Sequence, residues 1–179
     1  MRRSLTVICL VGLLFLTVSS TKTSSGLVQH ARMALGESWG YVWGTIGQVL
    51  TESILQQKIR QYPDLKPKEA EIRNKYLGKR TADCVGLIKS YLWWNGGNIA
   101  YDKSQDKTAE QMFKLAPKSG PISSLPNVPG LCLYLKGHIG VYIGDGWAIE
   151  SKGFDYGVVQ TRVQGRGWTN WMQCPFIRY

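Results

Sequence analysis

Leu131-Cys132-Leu133-Tyr134-Leu135-Lys136-Gly137-His138-Ile139-Gly140-Val141-Tyr142-Ile143-Gly144-Asp145-Gly146-Trp147-Ala148-Ile149-Glu150 is the stretch that settles the class of this chain. Its apolar runs, Leu131–Leu135, His138–Ile143 and Trp147–Glu150, are too short for helices and suit strands. Lys136-Gly137 and Gly144-Asp145-Gly146 supply the tight connections of an antiparallel meander. Val158 to Thr161 reads as a fourth strand, and Trp171 to Ile177 as a segment that closes the sheet.

Upstream, the periodicity changes. Cys84, Leu87, Ile88, Tyr91 and Leu92 follow the i, i+3, i+4, i+7, i+8 pattern of one helical face, ended by Asn95-Gly96-Gly97. Residues 26–36 and 48–62 also read as helices, stopped by Gly36 and Pro63. The polar stretch 66–76 reads as a surface helix, and a short helix is expected around 108–115. Trp39 to Gly44 alternates aromatic residues with glycine and reads as a turn or short extended stretch. Pro117, Pro121, Pro126 and Pro129 mark loops. Helices first and strands second predict an α+β fold, with N-terminal helices packed on a C-terminal antiparallel β-sheet.

The chain has 179 residues, 44% of them hydrophobic and 19% charged, with a net charge of +10. That is a globular composition, not a disordered one. A mean hydropathy of −0.17 excludes a polytopic membrane protein. Arg2 and Arg3 precede an apolar run from Leu5 to Val18 and then small polar residues. This pattern reads as a secretory leader over residues 1–20. The run is shorter than the roughly 20 residues of a spanning helix, so no stable membrane anchor is expected. Without the leader, residues 21–179 number 159 and carry a charge of +8. The expected location is secreted, periplasmic or wall-associated. The scattered Lys and Arg show no nucleic-acid-binding signature.

Cys84, Cys132 and Cys174 remain after the leader. Three is odd for an exported protein. Cys132 in the first strand and Cys174 near the last could meet and form a disulfide, or stay as two buried thiols. No C-x-x-C pair occurs and there are two histidines, so neither a metal nor a cofactor is expected.

Cys84 falls in the first turn of a helix, behind Asp83. Unpaired N–H groups and the helix dipole there favour a thiolate and would lower its pKa. The same N–H groups can receive an oxyanion. Burial as a small hydrophobe, with Asp83 as a plain N-cap, explains the position about as well. His138 opens a strand after a glycine turn, and Glu150 lies across the following hairpin. Glu150 could hold one imidazole nitrogen and leave the other for a thiol proton. Gln160 is the alternative orienter.

Asp83-Cys84-Val85-Gly86-Leu87-Ile88 resembles the Asp-Cys-Ser-Gly-Leu-Val motif of the NlpC/P60 cysteine peptidases. Gly137-His138-Ile139-Gly140-Val141-Tyr142-Ile143-Gly144 is similar to that family's Gly-His-Val-Gly-Ile-Tyr-Ile-Gly block. Tyr41-Val42-Trp43-Gly44 resembles its upstream Tyr-x-Trp-Gly segment. The three blocks keep the family's order, from about Gly26 onward.

The resemblance implies a papain-like α+β fold and hydrolysis of bacterial cell-wall stem peptides, typically at the D-γ-glutamyl–diamino acid bond. It casts Cys84 as nucleophile, His138 as base and then acid, and Glu150 as the third member of the triad. Tyr41, Asp83 and Trp43 become oxyanion or substrate-binding residues. Val85 departs from the family's Ser. The segment around 45–80 is longer than in compact members and reads as a helical insertion that could roof the cleft. The expected partner is peptidoglycan or its muropeptides, met by a monomer. An amidase at the muramoyl–alanine link, an acyltransferase, or a non-catalytic wall-binding module are the competing functions.

Overall fold

The computed structural model describes residues 21–179; the expected leader lies outside the described residues. Helix α1 spans Ser24–Gly36 and starts before the first apolar position, because the Thr23 side chain caps Gly26 N. Strand β1 follows at Ile46–Val49, then α2 at Glu52–Gln61, α3 at Glu69–Tyr76 and β2 at Arg80–Ala82. Helix α4 covers Cys84–Trp93, and β3 (Trp94–Asn95) and β4 (Asn98–Ile99) form a small hairpin after it. The chain continues with α5 at Ala109–Lys114, opened by a capping box of Thr108 and Gln111. Then come β5 (Ser119–Pro121), β6 (Cys132–Leu135), β7 (His138–Gly144), β8 (Trp147–Gly153), β9 (Gly157–Arg162) and β10 (Asn170–Met172).

The six-stranded antiparallel sheet runs β5-β10-β6-β7-β8-β9, so the expected meander β6 to β9 is present. Two sequence expectations are corrected. The helix expected over 48–62 begins only at Glu52, where the Thr51 side chain accepts from Ile54 N. Residues 46–49 instead form a strand, with Ile46 opposite Ala82 and Val49 opposite Arg80. Residues 119–121, expected as loop, form edge strand β5 against β10. Pro121 fits an edge because it cannot donate to a ladder on both sides.

The period of two along the strands divides two cores. Cys132, Ile139, Val141 and Ile149 pack on Leu27 and Ala31 of α1 and on Leu87 and Ile88 of α4. Leu131, Leu133, Tyr142 and Ala148 pack with Trp168 in a second cluster. The α2–α3 segment has a third cluster, in which Leu55, Ile59, Ile72 and Tyr76 meet Val42 and Leu50. So α3, expected as a surface helix, buries Ile72 and Tyr76. Among the described residues, no helix is long and apolar enough to cross a membrane.

Candidate active site

Cys84 is the first residue of α4, and the helix start is held by main-chain groups. Asp83 caps it: Oδ1 accepts from Gly86 N at 2.6 Å and Oδ2 from Gly44 N at 2.8 Å. One carboxylate thus ties the Trp43-Gly44 turn to the helix N-terminus. Asp83 N also donates to the Thr45 carbonyl at 3.0 Å. Gly86 permits this approach, since a Cβ there would lie 2.0 Å from the Thr45 oxygen. That packing explains the glycine two residues after the cysteine. Asp83 is buried, and burial raises its pKa against the pull of the two N–H groups. Its geometry is that of a structural clasp beside the cleft.

The Cys84 sulfur lies 4.0 Å from the Gly137 carbonyl oxygen. The thiol therefore sits beside the turn that leads into His138. No Sγ–imidazole hydrogen bond is formed. The expected fall in pKa does not occur: burial first, and the Asp83 carboxylate second, push the thiol up to about 12. N–H groups of Val85, Ile139 and Cys84 oppose this without overcoming it. A helix N-terminus alone does not offset desolvation here.

On the sheet, Nε2 of His138 meets Oε2 of Glu150 at 2.7 Å. That leaves Nδ1 as the nitrogen without a carboxylate. Glu150 is fully buried and has further partners that sequence reasoning missed. Arg166 grips both oxygens, Nε to Oε1 and Nη2 to Oε2, each at 2.7 Å. Thr161 donates to Oε1 at 2.7 Å, so the β9 residue that reaches Glu150 is Thr161 and not Gln160. Burial alone would raise the Glu150 pKa; the hydrogen bonds from His138, Arg166 and Thr161 outweigh it and pull it down to about 2.

Trp168 stacks on the imidazole, with centroids 5.4 Å apart and planes 17° from parallel. Gly140 makes room for it, since a Cβ there would lie 2.9 Å from the indole. Arg166 and Trp168 sit in the irregular segment between β9 and β10, where no periodicity marks them. A further missed residue is Glu110 of α5, whose Oε1 accepts from Gly137 N at 2.7 Å and steadies the turn into His138.

A cleft of about 400 Å³ lies over the thiol. Cys84, Tyr41, Trp43 and Asp83 line it, together with Glu110, Gly137 and Tyr62 from the α2 end. Trp43 is half-exposed and stacks on Tyr62 at 5.5 Å and 5°. Burial raises the Tyr41 pKa, followed by the nearby Cys84 and Asp83, so its hydroxyl stays a donor. Cys132 and Cys174 are buried free thiols in side-chain contact with each other, apart from this cleft. Among the described residues, no group of three or more His, Cys, Asp or Glu could hold a metal ion.

A helix-borne cysteine facing a sheet-borne histidine–carboxylate pair defines a papain-like α+β arrangement. The fold is that of the NlpC/P60 domains. The chain is similar to the peptidoglycan hydrolase RipB from Mycobacterium tuberculosis, with a TM-score of 0.50 and 16% identity over 87% of this chain and 65% of RipB. It is similar also to NlpC2 from Trichomonas vaginalis, with a TM-score of 0.52 and 14% identity over 90% of this chain and 49% of NlpC2. NlpC1 from the same organism gives 0.50 and 13%, over 88% and 45%. The chain thus spans between about half and two thirds of the length of these proteins. No family model matches the sequence, and no curated protein is significantly similar to it.

Proposed function

We propose that this protein is an exported cysteine peptidase that hydrolyses peptidoglycan stem peptides at the D-γ-glutamyl–diamino acid bond. The observation that carries the reading is the meeting of Cys84, at a capped helix N-terminus, with the chain around a histidine oriented by a buried carboxylate. The fold shared with RipB supports a wall hydrolase, and the apolar leader with its basic start supports export.

Each group then has a task. With its pKa near 12, the resting thiol is protonated, so His138 removes the proton as sulfur attacks the peptide carbonyl carbon. Nδ1 takes it, because Nε2 is engaged by Glu150. The Cys84 N–H and the Tyr41 hydroxyl stabilise the oxyanion. The imidazolium passes its proton to the leaving amine, the C–N bond breaks, and a thioester remains on Cys84. His138 then deprotonates a water that attacks the thioester, which releases the carboxylate and restores the thiol. Glu150 orients the ring and stabilises the imidazolium.

Digestion of purified muropeptides, read by mass spectrometry, tests this. Products with a free diamino acid amine and a terminal D-glutamate are expected from the wild type. Cys84→Ala should lose at least about a thousand-fold in turnover while keeping its thermal midpoint. Products split between muramic acid and L-alanine would make the enzyme an amidase. Retained turnover in Cys84→Ala would sink the assignment.

A further inference from the structure

Next to the catalytic cleft lies a second cavity, of about 380 Å³. Tyr62, Asp83 and Lys89 line both. Its outer wall is α2, the helix of the insertion, which contributes Gln57, Lys58 and Gln61. Asp106 and Tyr101 close the far side.

The two carboxylates in this space already hold donors. Both Asp83 oxygens take main-chain N–H groups. Asp106 takes Lys89 on Oδ1 and the Tyr101 hydroxyl, at 3.0 Å, on Oδ2. The donors are not used up. An ammonium has three N–H groups. Lys89 is 9% exposed and spends one, on Asp106. Lys58 bonds only the Gln61 amide oxygen, at 3.1 Å, and forms no ion pair among the described residues. Burial lowers the Lys58 pKa, and the more distant Asp83 and Asp106 carboxylates, neither in contact with it, do not offset this. Spare cationic donors around a polar cavity suit an anion with two acceptor oxygens.

We infer that this cavity is a carboxylate-binding subsite, in which Lys58 and Lys89 together receive a carboxylate of the peptide substrate held over Cys84. The inference rests on the peptidase reading above. It also gives the insertion a role in selecting substrate: Lys58 reaches the cavity only because α2 lies along the cleft. A γ-linked glutamate leaves its α-carboxyl free at the other end of its short side chain from the scissile carbonyl, so it can reach a cavity adjoining the cleft and makes a suitable probe.

Two synthetic γ-D-glutamyl–diamino acid peptides, identical except for an α-carboxylate or an α-carboxamide, separate the cases. Binding is measured by calorimetry to Cys84→Ala, and cleavage by the wild type. The acid should bind about ten-fold more tightly than the amide, the scale of one charge-assisted hydrogen bond. Lys58→Gln in the Cys84→Ala background should remove that preference, and Lys58→Arg should keep most of it. In the active enzyme, Lys58→Gln should raise KM for the acid about ten-fold, leave kcat within about two-fold, and leave the amide unaffected. Equal affinities for the two peptides, or a preference that survives Lys58→Gln, overturn the subsite. A preference that is present while the wild type cleaves neither peptide upholds the subsite and removes the peptidase reading instead.

Discussion

The two halves of the site are held by different kinds of interaction. On the sheet side, His138 rests on a buried carboxylate that also takes two bonds from Arg166 and one from Thr161, with Trp168 behind the ring. On the helix side, Cys84 is placed by main-chain groups and by Asp83, and among the described residues no cation is bonded to the thiol. Side-chain charge fixes the proposed base, and backbone geometry fixes the proposed nucleophile. The difference shows in the titration behaviour: Glu150 is drawn down to about 2 and Cys84 is pushed up to about 12. Within the proposed mechanism, an over-determined imidazole beside a neutral thiol fits general-base attack better than a resting ion pair.

The largest effect should come from the sheet side. Arg166→Met leaves a fully buried carboxylate with fewer donors, and breaking a buried pair costs about 3 kcal/mol. The thermal midpoint should fall accordingly. Glu150 has a folded pKa below its ordinary 4.5, so its contribution is present above that value and is lost as pH falls toward about 2. In Arg166→Met the folded pKa moves back up toward 4.5, so the acid loss should be smaller and complete at higher pH, as read by midpoints across the acid range. The pH–rate profile should shift as well, its acid limb upward, because Glu150 then acts on His138 without a competing cation. An unmoved limb would make Arg166 merely structural.

On the helix side, Asp83→Ala frees two N–H groups and should cost about 2 kcal/mol. Its kcat should fall with no shift of the acid limb, because Asp83 does not touch His138. A shift would erase the contrast between the halves. Gly140→Ala should displace Trp168 and cost about 1.5 kcal/mol, the usual scale of overpacking, with a change in indole fluorescence. The smallest change is expected for Thr161→Val, about 1 kcal/mol, with Arg166 still holding both Glu150 oxygens.

What was legible in sequence follows the range of the interactions. The α4 helix with Cys84 at its start shows in its apolar period and its Asp cap, both local signals. The His138–Glu150 pair follows from hairpin register over a few residues. Arg166 was not legible: it lies in an aperiodic loop and reaches Glu150 only through the fold. The same holds for β1 and β2, whose pairing of Ile46 with Ala82 spans the whole insertion. The Cys84 pKa was misjudged because the dipole is a local property and desolvation is a tertiary one. Lys89, on the strongest helical pattern in the chain, reads as an ordinary polar position until the cavity beside it is seen.

The α2–α3 segment has its own apolar cluster, separate from those on either face of the sheet. Such a unit can behave as a foldon, opening at a free energy below that of global unfolding. Tyr62, stacked on Trp43, and Lys58 both belong to its edge. Breathing of this unit would then widen the cleft and withdraw a cation from it while Cys84, His138 and Glu150 keep their places. Substrate entry and hydrolysis would answer to separate parts of one chain.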